Sequence, residues 1–318
     1  MDMKRRQFLR TSLAGLGSAA VAGAPLSNVR AEEAAKAPKN PFSTDPCATV
    51  QLTPEVKTSR IGFGTGMIGH NRSSTLTRMD RKKATELILY GYERGIRYFD
   101  CADLYGTHQL VTETLAAAGI ARDTFQIGTK IWPHGGGIPE KERPRADVVV
   151  KRFLQETKTD YLDLVQIHCM MTPNWDEQYA QYMEDLEALK KEGVIRAHGI
   201  SSHSNAATKR AIELDWTDAI HVRMNTSGAR MEGTFEENVA LVNAAAEKGI
   251  GIICMKVVGE GTMKKIEDRR RSVDAITRLS AVDTMIVGFN EKHEIDEFID
   301  HVSATLKAME AEQAAAKA

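Results

Sequence analysis

The 318-residue sequence has almost no net charge, because 42 lysines and arginines stand against 43 aspartates and glutamates. A chain without a field of one sign has little to attract nucleic acid or an acidic membrane surface, so we expect small-molecule partners and no nucleic acid. Cysteine is also scarce. Cys47, Cys101, Cys169 and Cys254 lie far apart and form no C-x-x-C pair or His/Cys cluster with zinc spacing. The sequence therefore indicates neither a disulfide framework nor a metal site.

The apolar run near the N-terminus is too short to span a bilayer. It covers residues 12–26 and is rich in Ala and Gly, whereas a span takes about 20 predominantly apolar residues. A basic cluster precedes the run and Val-Arg-Ala follows it at 29–31, a pattern typical of an export signal. RRQFLRT at 5–11 closely resembles the twin-arginine signal; a basic start before an alanine-rich helix is the alternative. We expect residues 1–31 to engage the twin-arginine export machinery, which implies a periplasmic or exported protein with no membrane span in the mature chain.

A regular alternation of strand and helix patterns follows. We expect a polar linker at 32–55, an ordered body at 56–305, and an alanine-rich tail at 306–318 that continues the last helix or frays. Within the body, short β-rich runs alternate with longer segments of helical period. Eight strands are predicted at 60–64, 98–102, 125–131, 162–168, 196–201, 219–225, 251–256 and 284–289.

The strand patterns favour a closed parallel sheet. LDLVQIH at 162–168 and GIICMK at 251–256 are almost continuous apolar runs, which is typical of parallel strands covered on both faces. Gly95, Gly193 and Gly249 are each predicted to end a helix between two strands. Eight such units over about 250 residues predict an α/β fold, a single-domain (β/α)8 TIM barrel. An open doubly wound sheet is the alternative.

Polar side chains stand at the ends of three consecutive predicted strands. Asp100 ends the second strand, and Tyr105 lies in the loop after it; Lys130 ends the third strand and His168 the fourth. In a barrel these ends meet at one mouth, although each residue alone is also explained by capping, packing or solvent exposure. Because burying an unpaired ammonium is costly, we expect Asp100 to pair with Lys130. We also expect the ammonium to lower the pKa of the Tyr105 phenol.

Several motifs follow the order and spacing of one known family. They are FDCADLYG at 99–106, Thr-Lys at 129–130, LDLVQIH at 162–168, GVIRAHGISSHS at 193–204 and MIVGF at 285–289. From about residue 60 to 299 the chain thereby resembles the aldo-keto reductases. The resemblance implies an oxidoreductase that reduces a small aldehyde or ketone with hydride from NADPH. It implies a catalytic tetrad in which Tyr105 protonates the carbonyl oxygen, Lys130 held by Asp100 tunes the phenol, and His168 orients the oxygen.

The residues expected on the cofactor side depart from the family pattern. Ser201 and Ser202 stand where a Ser-Asn pair is usual, and His221 stands where glutamine is usual. Met255 and Lys256 replace a stacking tyrosine, and basic residues for an adenosine 2′-phosphate are few. The expected cofactor is NADP(H), with NAD(H) as the alternative. The cofactor-binding residues expected from the resemblance are Gly64, Thr65, Ser201, Ser202, His221, Met255, Lys256, Gly288, Asn290 and Lys292.

The stretch GTGMIG at 64–69 also satisfies the G-x-G-x-x-G pattern after a strand. A dinucleotide fingerprint requires a helix that opens directly from the glycines, whereas the polar loop HNRSSTLTRM follows here. We therefore interpret these glycines as a tight turn near the substrate.

A second interpretation of function comes from a different class. The barrel could serve, after export, as a module that binds a ligand or docks a partner with little turnover. The departures on the cofactor side favour this alternative, and the intact tetrad opposes it.

Overall fold

A computed structural model describes residues 39–317 of the chain. The export signal predicted at 1–31 and the first part of the predicted linker lie outside the described residues. The remainder of that linker differs from the expectation, because it contains most of a β-hairpin formed by β1 (Thr49–Thr53) and β2 (Val56–Ser59). Leu52 of this hairpin is fully buried and packs with Val56, Tyr98 and Ile253 inside the barrel. The hairpin thereby closes the end of the barrel at which the strands begin.

Eight parallel strands form a closed barrel in chain order, which confirms the predicted (β/α)8 architecture. The strands are β3 (Ile61–Gly64), β4 (Tyr98–Asp100), β5 (Gln126–Ile131), β6 (Leu162–Met170), β7 (Ile195–Ser202), β8 (Ala219–Arg223), β9 (Gly251–Met255) and β10 (Thr284–Val287). The last strand pairs with the first, with Met285 opposite Ile61. Since all eight strands run the same way, their C-terminal ends lie on one rim.

Helices cover the outside of the barrel. They are α1 (Thr75–Arg78), α2 (Arg81–Glu93), α3 (His108–Ala117), α4 (Ala146–Thr157), α5 (Trp175–Gln178), α6 (Ala180–Lys191), α7 (Asn205–Glu213), α8 (Phe235–Glu247), α9 (Ile266–Thr277) and α10 (Lys292–Lys317). A capping box starts α8: the Glu237 amide donates to the Thr234 hydroxyl, and the Thr234 amide donates to the Glu237 carboxylate. The last helix continues through the alanine-rich segment predicted as a tail.

The glycines predicted to end helices have the backbone conformation that this role requires. Gly95, Gly193 and Gly249 follow α2, α6 and α8 with φ of 96°, 77° and 80°. Residues other than glycine rarely adopt this region, so these positions turn the chain from each helix toward the next strand. None of the helices within residues 39–317 is long and apolar enough to cross a membrane.

Candidate active site

A buried ion pair lies where two neighbouring strands end. The Lys130 ammonium on β5 donates to Oδ1 of Asp100 on β4 at 2.6 Å, and to the carbonyl of Cys101 at 2.9 Å. Lys130 and Asp100 are only 1% and 3% exposed. Burial alone would raise the pKa of Asp100, but Lys130 and His221 outweigh it and hold that pKa below its usual value. The carboxylate therefore stays charged and keeps the ammonium inside the mouth.

Tyr105 lies in the loop after β4, between the ammonium of Lys130 and the imidazole of His168 on β6. Its ring centroid is 5.3 Å from Nζ of Lys130 and 5.7 Å from the ring of His168, which meets it edge on. The glycines of GTGMIG explain how the ring fits. A Cβ added to Gly66 would lie 2.3 Å from the Tyr105 ring, and one added to Gly69 would lie 2.5 Å from it. These two glycines are therefore the surface against which the phenol packs.

The acidity of the phenol differs from the expectation. Burial raises the pKa of Tyr105 well above its usual value, and the charge of Asp100 raises it further. The prediction of a lowered pKa for this phenol is wrong, because burial and the carboxylate both disfavour the phenolate. At neutral pH the phenol is consequently a protonated hydrogen-bond donor.

His168 is 4% exposed. It was predicted to end its strand, but β6 continues for two more residues, Cys169 and Met170. Burial lowers its pKa well below the usual value, and the neighbouring charge of Lys130 lowers it further. The imidazole is therefore neutral near pH 7. Its Nδ1 is buried and has no hydrogen-bond partner among the described residues. The Trp132 ring contacts the imidazole from the loop after β5, with the centroids 5.4 Å apart.

The residues predicted on the cofactor side fall into two groups. In the first, buried polar atoms lack a partner within residues 39–317. They are Oγ of Ser201 and Nδ1 of His221, together with Oε1 of Gln166, a residue that no sequence motif indicated. Ser201 and His221 are opposite each other in the pairing of β7 with β8. Buried polar atoms are normally hydrogen-bonded, so these unpaired atoms are candidates to bind a polar ligand group.

In the second group, the polar atoms already have intramolecular partners. The Ser202 hydroxyl donates to the Ser204 carbonyl and accepts from Thr208. The Thr65 amide and hydroxyl both donate to the Asp100 carbonyl, at 3.1 and 2.8 Å. These two residues hold the ends of their strands.

The remaining members lie around the rim. Gly64 and Gly288 face each other closely, since a Cβ on Gly288 would lie 3.1 Å from the Gly64 carbonyl. Met255 is buried at the end of β9. Lys256 pairs with Glu260 at 2.6 Å.

The last two predicted residues flank the start of α10. The amide of Asn290 donates to Glu294. Lys292 pairs with Glu86 of α2 at 3.4 Å and lies over the Tyr90 ring. Its ammonium therefore faces α2 on the outside of the barrel.

The end of β6 carries a feature that the strand pattern did not predict. Cys169 has a φ of 62°, and the carbonyls of His168 and Cys169 each lie 3.0 Å from Nε2 of His134. The Cys169 thiol lies 3.3 Å from the nearest nitrogen of His203. Burial raises the pKa of this thiol to about 12 and lowers that of His203 to about 3, so both groups are neutral. Within residues 39–317, no three His, Cys, Asp or Glu side chains are arranged to hold a metal ion.

The barrel and the cluster at its mouth define a (β/α)8 protein with a candidate active site at the C-terminal strand ends. The model of the Aldo/keto reductase family matches residues 60–317. The chain therefore belongs to the aldo-keto reductase family.

Individual relatives match shorter stretches. Methylglyoxal reductase DkgB of Escherichia coli O157:H7 is 33% identical over 120 residues, which are 38% of this chain and 43% of that protein. Aldo-keto reductase YhdN of Bacillus subtilis is 30% identical over 47% of this chain and 45% of its own length. The chain thus spans about half the length of these curated relatives.

A solved structure supports the fold over a longer range. The holo form of aldo-keto reductase AKR11C1 from Bacillus halodurans superposes with a TM-score of 0.64. It covers 82% of this chain and 96% of its own, at 21% identity. At that identity the likeness shows the fold alone.

Proposed function

We propose that the protein reduces the carbonyl group of aldehydes or ketones with hydride from a nicotinamide dinucleotide, with Tyr105 as the general acid. The observation that carries the proposal is the meeting of three groups at one mouth. The Tyr105 ring lies 5.3 Å from the Lys130 ammonium and 5.7 Å from the His168 ring. The methylglyoxal reductases among the relatives support a 2-oxoaldehyde as one substrate.

The unpaired buried atoms fit the carboxamide of a nicotinamide ring. A carboxamide both accepts and donates hydrogen bonds; the Ser201 hydroxyl can donate to its oxygen, and Nδ1 of His221 can accept from its nitrogen. The bound dinucleotide would supply the hydride. NADPH is the proposed form because of the family resemblance. The ammonium of Lys292 is already paired with Glu86, which argues for testing NADH beside it.

The side chains of this site have distinct tasks in the reduction. The Tyr105 phenol is protonated at neutral pH, so it can donate to the carbonyl oxygen on which negative charge develops. Lys130 stabilises the phenolate left behind, and Asp100 holds the ammonium near the ring. The neutral His168 orients the carbonyl oxygen by a hydrogen bond. Trp132, packed on His168, would limit the shape of the substrate.

The test is a titration of purified protein with NADPH and NADH, followed by turnover with a panel of aldehydes, ketones and a 2-oxoaldehyde. Tyr105→Phe should lower kcat by about 10²- to 10⁴-fold, the usual contribution of a general acid. Tyr90→Phe is the matched control, since its hydroxyl binds Asp296 on the outer helices. It should keep wild-type rates.

Two results would decide against this reading. Carbonyl reduction by Tyr105→Phe at the wild-type rate would remove the phenol from the mechanism. Failure of the wild type to bind either nucleotide at millimolar concentration would favour the ligand-binding module instead.

Export by the twin-arginine pathway is proposed from the sequence of residues 5–11. This machinery carries folded proteins, which would allow the dinucleotide to be loaded before export. Replacing both Arg5 and Arg6 by lysine in the full chain should leave the protein in the cytoplasmic fraction. Unchanged recovery of that variant outside the cytoplasm would refute this route.

A further inference from the structure

His221 makes a hydrogen bond to Asp100 that the family resemblance does not imply. It belongs to β8, whereas Asp100 belongs to β4, and in the closed order of the barrel three strands lie between β4 and β8 on either route. The two residues therefore stand on opposite walls. Nε2 of His221 nevertheless reaches Oδ1 of Asp100 at 2.9 Å. This hydrogen bond crosses the interior of the barrel just below the mouth.

The same oxygen also accepts from Lys130. Oδ1 of Asp100 is 2.6 Å from Nζ of Lys130 and 2.9 Å from Nε2 of His221, and all three residues are at most 3% exposed. An ionised carboxylate only accepts hydrogen bonds, so Nε2 of His221 must carry the proton. Nδ1 is then the unprotonated nitrogen, and it has no partner within residues 39–317.

We propose that His221 is a positioning residue of the active site: its Nε2–H fixes the Asp100 carboxylate from the opposite wall, and the carboxylate in turn holds Lys130 beside Tyr105. The inference rests on the proposed reductase function and adds a fifth side chain to the four implied by the family. A carboxylate with a single partner could rotate about its Cβ–Cγ bond. The second donor on the same oxygen removes that freedom, which keeps Nζ of Lys130 5.3 Å from the phenol ring.

The surrounding charges determine the protonation state of the imidazole. Burial lowers the pKa of His221, Lys130 lowers it further, and Asp100 raises it in part. The other titratable groups around Asp100 and His221 are Tyr98, Cys101, Tyr105 and His168. All four are uncharged near neutral pH, so none of them offsets the lowering of the His221 pKa by burial and Lys130. His221 therefore stays neutral and donates from Nε2.

Two amide substitutions of His221 distinguish the roles of its two ring nitrogens. The amide nitrogen of glutamine lies about as far from Cα as Nε2 of histidine, whereas that of asparagine lies near the position of Nδ1. His221→Gln should therefore restore the donor to Asp100, and His221→Asn should not. His221→Leu removes both nitrogens. His198→Leu is the control for loss of a buried histidine, since His198 packs on Trp216 and binds Glu187 away from the mouth.

We expect kcat of His221→Leu and His221→Asn to fall roughly ten- to one-hundredfold, the range that loss of one hydrogen bond to a charged group allows. The acidic limb of the kcat–pH profile should move to higher pH in both, because the lost hydrogen bond lowered the pKa of Asp100. His221→Gln should bring kcat and the limb back toward wild type. His198→Leu should lower the melting temperature and leave the limb in place.

The proposal is overturned if His221→Gln and His221→Asn behave alike, or if all three variants change only the dissociation constant of the nucleotide. A measurement without turnover keeps the inference separate from the proposed function. Nuclear magnetic resonance of the His221 ring should show the Nε2–H tautomer and a neutral ring at pH 7. An Nδ1–H tautomer would end the inference even in an active reductase, and an inactive wild type with the Nε2–H tautomer would count against the proposed function alone.

Discussion

Replacing Gly66 by alanine should disable the site without changing a charged group. A Cβ at this position would lie 2.3 Å from both Cε2 and Cζ of Tyr105. Carbon atoms in contact are about 3.5–4.0 Å apart, so the ring must move by more than about 1 Å. Gly69 lies against the Cδ1 edge of the same ring, which leaves little room on that side. Gly66 has no positive φ, so the substitution adds steric overlap and no backbone strain.

The size of the effect follows from this displacement. A misplacement of about 1 Å in a reacting group can cost about 10²-fold in rate, so kcat of Gly66→Ala should fall by about that factor. Overpacking of this kind destabilises a fold by about 1–3 kcal/mol. The protein should therefore stay folded while it loses most of its activity.

The assay compares kcat under saturating nucleotide and carbonyl substrate with the midpoint of urea unfolding. Gly135→Ala is the control, since nothing lies within 4 Å of a Cβ added there and the residue also belongs to a loop at the mouth. It should keep the wild-type kcat. If Gly66→Ala retains kcat within about twofold of this control, the packing of the phenol on the glycines does not matter for the reaction, and the reasoning fails.

Three further predictions concern stability and reactivity. Burial raises the pKa of Asp283 to about 6. Between pH 4 and 6 the folded state therefore keeps a proton on this carboxyl that the unfolded chain has released. The free energy of unfolding, measured by urea titration, should fall by up to about 3 kcal/mol from pH 4 to 7. Asp283→Asn should remove this slope, and an unchanged slope would contradict the assignment. Lys130→Met should lower the free energy of unfolding by about 3–5 kcal/mol, because it leaves the buried Asp100 carboxylate without its ammonium partner. Adding Asp100→Asn should recover part of this loss in the same titrations. If the effects of the two substitutions simply add, the pair is not coupled. Cys169, whose pKa burial raises to about 12, should resist iodoacetamide at about pH 8 until the protein is unfolded, and rapid labelling of the folded protein would argue against its burial.

Local patterns in the sequence were sufficient for the architecture. Apolar runs of strand length, each followed by a helical period and a glycine at the helix end, predicted eight parallel strands because parallel pairing requires a helix between successive strands. The same strand pattern predicted that Asp100, Lys130 and His168 lie on one rim, because that prediction requires only the positions of the strand ends and no distances. The hairpin at 49–59 was not predicted, because the prolines and polar residues of the preceding stretch indicate a linker.

What the chain by itself determined is therefore the order of strands and the set of side chains delivered to the mouth. Only the tertiary structure decided how those side chains meet. The bond from His221 to Asp100 joins residues 121 positions apart on opposite walls, and no local pattern encodes a distance across a barrel. The sign of the pKa shift of Tyr105 depends on burial and on the charge of Asp100. Gly66 is needed because of a ring 39 positions away. Burial and electrostatic effects sum over neighbours in space, so they become defined only once the barrel has closed.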